Sequence, residues 1–491
     1  MVITTMELTD GYKLDHRRQY PQGTEFVYSN WTPRSNTYFP EAEDGCVVFG
    51  IQYFIKEYLI KRFNEDFFNL DEDVAVKTFE RRINTFLGDN EVGTDHIREL
   101  HKLGYLPIHI KALPEGDLCP IGVPMLTIMN TDKRFFWLTN FLETMMSMCL
   151  WLPMTSATTA RIYRKELERH AQKTMFPKDV MLGFLCHDFS MRGMAGLEAA
   201  ITSGMGHLTS FVGSETIPAI GACESYYNAD AEKELIAATV PATEHSVMCA
   251  GGIDDEFGTF KRLLTELYPN GFVSIVSDTW DFWQVITDFI PRLKEDILAR
   301  NGRFVVRPDS GIPEDIICGT NNPNDPDHIR KGAYECLWDI FGGTYTENGY
   351  KVLDSHIGMI YGDSITIERQ REIYHRLEEK GFAATNLVLG IGSYTYQYRT
   401  RDSLGFAMKA TWCCINGERK EIFKSPKTDS GMKKSLRGLI TVVKENGKYK
   451  AYDCADPAGE VGSELKTVFE NGKLVREFTL DKVRENVKKT L

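Results

Sequence analysis

The chain has 491 residues, 42% hydrophobic and 26% charged, a composition that fits an ordinary soluble protein of more than one domain and excludes extended disorder. Its formal net charge of −12, from 57 Lys+Arg against 69 Asp+Glu, speaks against nonspecific binding to nucleic acid or to an anionic membrane. The 11 cysteines are odd in number and lack a CxxC pair or a Cys/His spacing for zinc, which points to a reducing cytoplasm.

The N-terminus has no basic start followed by the apolar core of a signal peptide. Residues 1–40 hold a polar-aromatic string, from Asp10-Gly11-Tyr12-Lys13 to Arg17-Arg18-Gln19-Tyr20-Pro21, then an extended stretch around Phe26-Val27-Tyr28, and Arg34. Residues 48–101 predict helices, with Phe54, Tyr58, Leu59 and Phe63 at helical spacing. Residues 106–129 predict edge strands broken by Pro107, Pro114, Pro120 and Pro124. The stretch 135–154 is apolar but interrupted by Thr139, Asn140 and Glu143, so it predicts a buried helix over 135–152 rather than a membrane span. A second, amphipathic helix is expected over 155–172.

From 181 to 393 one unit recurs: an apolar, β-branched run that stops at Asp, Ser or Gly. Its plainest case is 303–311, Arg-Phe-Val-Val-Arg-Pro-Asp-Ser-Gly. Strand ends are expected at His187-Asp188-Phe189, Gly213-Ser214-Glu215, Thr243-Glu244-His245, Asp278, Asp309, Asp363 and Gly392. Helical patterns such as 256–268 and 367–380 lie between them, so strand, loop and helix alternate as in a parallel sheet with right-handed crossovers. The stretch 318–329 reads as a long surface loop, and the Asn446-Gly447 and Asn471-Gly472 pairs as hairpin turns. The expected fold class is α/β: an irregular parallel barrel over 181–395, with a second, mainly antiparallel β domain assembled from the N-terminal segment 1–180 and the C-terminal segment 396–491.

Parallel α/β sheets bind ligands on the loops leaving the carboxyl ends of their strands. Gly390-Ile391-Gly392-Ser393 suits an anion loop, because glycines let backbone N–H groups approach; without a P-loop lysine, a tight turn fits equally. Arg307 and Asp309, two apart at a strand end, point the same way, either at one ligand or into a mutual ion pair. His245 can exchange a proton or act as a nucleophile, and equally can be a satisfied core histidine. Phe189 and Tyr12 can sandwich a flat ring or simply pack. Asp278, Asp309 and Asp363 suit sugar hydroxyls or a divalent metal, with no spacing that forces the metal. The cations Arg34, Arg192, Arg307, Arg399, Arg401, Lys409, Lys424 and Lys427 are candidates for anion contacts, whereas Lys433-Lys434 reads as a solvated face.

In this order, these residues resemble the nicotinamide phosphoribosyltransferases over nearly the whole chain, from Asp10-Gly11-Tyr12-Lys13 to Val468-Phe469-Glu470-Asn471-Gly472-Lys473. The motifs that carry the resemblance are His187-Asp188-Phe189 with Arg192-Gly193, Glu244-His245-Ser246, Val276-Ser277-Asp278, Arg307-Pro308-Asp309-Ser310-Gly311 and Gly362-Asp363. It implies a homodimer with shared sites, in which Phe189 stacks on one face of the pyridine ring and Tyr12 of the partner subunit on the other. Glu215, Arg307 and Ser274 would meet the nicotinamide, and Asp309, Gly362 and Asp363 the ribose. Arg192, Gly392 and Ser393 would meet the phosphate, with Arg34, Arg401 and Lys409 reaching over from the second chain. His245 would be the family's phosphorylatable histidine, supported by Glu244 and Asp278. The implied co-substrates are 5-phosphoribosyl pyrophosphate and ATP, with Mg²⁺ held mainly by the pyrophosphate.

Two positions depart from the family pattern. Glu215 stands where the family has an aspartate that recognises the amide, and Ser393, followed by Tyr394-Thr395-Tyr396, stands at a glycine of the phosphate loop. A nicotinate enzyme of the same fold, a noncatalytic binding protein on this scaffold and a metal-dependent sugar-phosphate enzyme are the competing readings.

Overall fold

The computed structural model describes residues 3–362, 364–423, 436–454 and 462–491. Asp363, Lys424, Lys427, Lys433 and Lys434 lie outside the described residues. The chain forms two compact units, one from Met1–Thr158, Gly221–Asp230 and Arg399–Thr490, the other from Thr159–Ile220 and Ala231–Tyr398.

The first unit is organised by a seven-stranded antiparallel sheet. Thr24–Thr32 lies between Ala407–Ile415 and Leu126–Asn130. Glu418–Glu421 extends it on one side, and Ile108–Ala112, Lys466–Glu470 and Lys473–Leu474 on the other. The four prolines of 106–129 fall outside the strands, where no ladder donor is lost. Both Asn-Gly pairs form the expected turns, with φ of 50° and 78° at Asn446 and Gly447 and of 48° and 80° at Asn471 and Gly472, the left-handed values a type I′ hairpin requires. Trp31, fully buried, stacks on Phe406 with ring centroids 5.1 Å apart. Residues 48–101 are helical as expected, in Ile51–Phe54, Ile55–Arg62, Asn64–Phe68, Glu72–Leu87 and Asp95–Leu103.

The helix break expected near residue 153 does not occur: Glu143–Thr174 is one helix that runs through Pro153. Proline removes one donor and crowds the preceding turn. Beside it two threonines bond back to helix carbonyls, Thr155 Oγ1 donating to Leu152 O at 3.0 Å and Thr158 Oγ1 to Met154 O at 2.7 Å. Gly50 makes room for the ring, because a Cβ there would lie 2.6 Å from Pro153 Cγ. Among the described residues no helix is long and apolar enough to cross a membrane.

The second unit is built on six parallel strands: β1 (Cys186–Asp188), β2 (Gly213–Ser214), β3 (Val273–Val276), β4 (Phe304–Arg307), β5 (Ile357–Tyr361) and β6 (Leu387–Ile391). Their order is β2-β1-β6-β5-β4-β3. The strands are almost entirely buried, which is why they read as unbroken apolar runs. Residues 238–242 bridge both open edges, through Gly213↔Ala238 and Ala242↔Ser274, and so bring the sheet round toward an irregular barrel. That segment makes only isolated bridges because Pro241 has no N–H to give, although its carbonyl accepts from Ser274 N at 2.9 Å.

Candidate active site

The carboxyl ends of the six strands converge on one edge. At the end of β1 the Asp188 carboxylate is buried and fully used within the protein, accepting from Ser190 N at 2.9 Å, Thr216 Oγ1 at 2.7 Å and Ser214 Oγ at 3.2 Å. These bonds shape the turn that presents Phe189, whose backbone N–H bonds Ile391 O across to β6. The Phe189 ring has the His187 ring at 4.7 Å and the Arg307 guanidinium at 5.2 Å from its centroid. Just past β2, Glu215 Oε1 accepts from His187 Nε2 at 3.0 Å and from the Thr239 hydroxyl. The His187 bond holds the Glu215 carboxyl below the usual carboxylate range, with Thr239 and the Arg307 charge acting in the same direction.

At the end of β4, Arg307 and Asp309 do not pair with each other; each keeps a buried atom, Nε and Oδ1, without a hydrogen-bond partner among the described residues. Both atoms face Gly362 after β5, where a Cβ would lie 2.2 Å from Asp309 Oδ1 and 3.0 Å from Arg307 Nε. Ser274 Oγ, on buried β3, is likewise unpartnered. Buried polar atoms are normally bonded, so the two unmet ones that meet at Gly362 mark a place shaped for a polar ligand. Tyr361 O–H, kept protonated by burial, donates to Gly311 O at 3.0 Å and steadies the turn after Asp309.

His245 begins the helix His245–Gly251, and its Nε2 lies 3.2 Å from Asp278 Oδ1. The Asp278 side chain is 4% exposed and that of His245 48%, so the carboxylate is fixed while the ring faces out. Asp278 Oδ2 accepts from Asp309 N at 3.0 Å and Ser310 Oγ at 2.6 Å, which ties the histidine to the β4 turn. Glu244, the other carboxylate expected beside His245, instead accepts from Ser246 Oγ.

After β6, Gly392 has φ −86° and Ser393 enters the short helix Ser393–Gln397 without a left-handed φ, so serine costs no backbone strain at this glycine position. The turn carrying exposed Arg192 lies against it, since a Cβ on Gly193 would be 2.1 Å from Ser393 Oγ. In the first unit, Tyr12 is 65% exposed on the turn Gly11–Asp15 and Lys409 is exposed on Ala407–Ile415. Arg34 Nε donates to Gly405 O at 2.9 Å, and Arg401 lies 3.3 Å from Asp402.

His187 and Ser310 enter the sequence reading only within motifs and Thr239 not at all, although Thr239 bonds Glu215 and Ser310 bonds Asp278. The signal for Ser310 was its place in the strand-end run; nothing local marks Thr239, which is 24 residues from Glu215.

A barrel edge of this kind defines a class, the α/β-barrel enzymes that hold a polar substrate over the ends of their strands. Comparison with known proteins narrows it. Residues 184–473 match the nicotinate phosphoribosyltransferase (NAPRTase) family, and residues 4–110 match the N-terminal domain of nicotinamide phosphoribosyltransferase. A nicotinamide phosphoribosyltransferase of Acinetobacter baylyi is 49% identical over 500 aligned residues, covering 100% of this chain and 98% of its own. One of Mycoplasma pneumoniae is 35% identical, covering 87% and 93%. The crystal structure of human nicotinic acid phosphoribosyltransferase shares the fold, with a TM-score of 0.56 at 14% identity over 98% of this chain and 93% of that one. So does that of nicotinate-nucleotide pyrophosphorylase from Pyrococcus furiosus, with a TM-score of 0.56 at 16% identity over 99% and 94%. The chain belongs to the nicotinate phosphoribosyltransferase family and is a phosphoribosyltransferase, an enzyme that transfers a pentosyl group.

Proposed function

We propose that this protein makes nicotinamide mononucleotide and pyrophosphate from nicotinamide and 5-phosphoribosyl pyrophosphate in NAD salvage, as a cytoplasmic homodimer coupled to ATP. The observation that carries the choice of substrate is the ionised Glu215 carboxylate, held through Oε1 by Thr239 and by His187, whose ring lies 4.7 Å from that of Phe189, with no bond among the described residues to Oε2. A carboxylate accepts from an amide NH₂ and repels a nicotinate carboxylate. The names of the relatives at 49% and 35% identity support the same substrate. Support for a reducing compartment is the cysteine pattern itself, 11 residues without a CxxC pair.

In the reaction the ring nitrogen bonds to the ribose C1 as the bond from C1 to pyrophosphate breaks, through an oxocarbenium-like state. Catalysis is then positioning and charge stabilisation. Phe189 offers one face to the ring, and Tyr12 of the partner subunit would close the other. The unpartnered Asp309 Oδ1 accepts a ribose hydroxyl beside Gly362, and Asp363 belongs to the same expected set. Arg192, Gly392 and Ser393 would receive the 5-phosphate, joined by Arg34, Arg401 and Lys409 of the second chain. Mg²⁺ would be held mainly by pyrophosphate oxygens, whose charge it neutralises.

The pair His245–Asp278 supports coupling to ATP. With Nε2–H given to Asp278, the neutral ring keeps its lone pair on Nδ1, where it can take the γ-phosphoryl group as ADP leaves. The test is mononucleotide formation by the purified protein with and without ATP, together with acid-labile phosphate on His245. Stimulation by ATP with labelling that His245→Ala abolishes supports the reading; ATP-independent turnover without label contradicts the coupling. Absence of any mononucleotide from either base would favour the binding-protein reading.

A further inference from the structure

A phosphate loop built on glycines takes its shape from backbone freedom, and this chain has Ser393-Tyr394-Thr395-Tyr396 after Gly392 instead. Tyr396 is 1% exposed, and its hydroxyl lies 2.7 Å from Nδ1 of His207, which is 0% exposed at the end of the helix Leu197–His207. The other ring nitrogen, Nε2, lies 3.0 Å from Gly213 O at the start of β2. A carbonyl only accepts, so Nε2 carries the ring proton, Nδ1 is the acceptor, and the Tyr396 O–H is the donor. Burial keeps that phenol protonated. The helix after the loop is held at a second point, where Gln397 Oε1 accepts from Ala195 N at 2.7 Å in the turn that follows Arg192.

The run Tyr396–His207–Gly213 therefore joins the helix of the anion loop to the strand that leads, two residues on, to Glu215. We infer that Tyr396 and His207 are positioning residues for the phosphate end of 5-phosphoribosyl pyrophosphate: their buried hydrogen bonds fix the Gly392–Ser393 backbone in register with the base-binding side of the barrel. The inference rests on the proposed assignment of the 5-phosphate to this loop.

The test is Tyr396→Phe in the full chain, which removes one oxygen and keeps the ring. Loss of one positioning hydrogen bond is expected to raise KM for 5-phosphoribosyl pyrophosphate about five- to tenfold while KM for nicotinamide stays within about twofold. A purely structural role would lower the active fraction, so kcat would fall with both KM values unchanged, and that result would overturn the inference. Arg192→Ala separates the two layers. If it leaves KM for 5-phosphoribosyl pyrophosphate unchanged, the phosphate does not bind here and both readings fall. If Arg192→Ala raises that KM and Tyr396→Phe does not, only the positioning role is lost.

Discussion

Replacing Glu215 by glutamine is the sharpest perturbation of substrate choice. Glu215 Oε1 accepts hydrogen bonds from His187 Nε2 at 3.0 Å and from Thr239, and a glutamine oxygen can keep both bonds. Its NH₂ then faces the ligand side, where it meets an amide NH₂ as donor against donor and a nicotinate carboxylate as donor to acceptor. A nicotinate carboxylate at about 5 Å from Glu215 would feel roughly 3 kcal/mol of repulsion at an effective dielectric of about 20. The Glu215 side chain is 41% exposed, so screening reduces this to about 1.5–2 kcal/mol, or roughly 10- to 30-fold in preference. Glu215→Gln should therefore lower kcat/KM for nicotinamide, raise it for nicotinate, and narrow their ratio by at least about tenfold. Steady-state rates with both bases at saturating 5-phosphoribosyl pyrophosphate, on protein whose melting temperature is unchanged, measure this. An unchanged ratio would refute the argument and leave Arg307, 5.2 Å from the Phe189 centroid, as the group to examine for base choice.

Gly362→Ala should fold normally yet lose at least about 100-fold in kcat/KM, because its methyl would lie 2.2 Å from Asp309 Oδ1 and fill the space the ribose needs; near-normal activity would remove the ribose from this place. Asp278→Asn keeps one acceptor where the carboxylate serves His245, Asp309 N and Ser310 with two. It should cut ATP stimulation and His245 labelling by tenfold or more, and retention of both would separate Asp278 from the histidine chemistry. In the first unit, burial pushes the Glu115 carboxyl from 4.5 up to about 7. The folded state then holds a proton that the unfolded chain releases, so stability falls as pH rises from 4.5 through about 7, by at most about 3 kcal/mol. Melting temperature measured between pH 5 and 8 should show a decline that Glu115→Gln flattens; identical slopes in the two proteins would contradict the assignment.

The architecture was legible where burial and pattern agree. Buried parallel strands have no polar face, so Phe304–Arg307 and Val273–Val276 stand out as apolar runs stopped by Arg-Pro-Asp and Ser-Asp. The Asn-Gly turns were readable because a left-handed φ at both positions leaves few residue choices. The continuity of Glu143–Thr174 through Pro153 was not, since it depends on Gly50, about a hundred positions upstream in the chain, giving space to the ring. At the site, the shared direction of Arg307 and Asp309 follows from strand alternation, but the choice between a mutual ion pair and two unmet atoms facing Gly362 is made by tertiary geometry. The Thr239–Glu215 and His207–Tyr396 bonds join segments far apart in the chain that only the tertiary fold brings together. No local pattern in the sequence announces them.

The central claim is that this barrel edge selects nicotinamide for phosphoribosyl transfer. Its most direct measurement is a competition: equal concentrations of nicotinamide and nicotinate, limiting 5-phosphoribosyl pyrophosphate with Mg²⁺ and ATP, and separation of the two mononucleotides. The ratio of products equals the ratio of kcat/KM values. Nicotinamide mononucleotide in at least about tenfold excess is the predicted result. Equal amounts, or an excess of the nicotinate product, would contradict the account of Glu215 and of the function built on it.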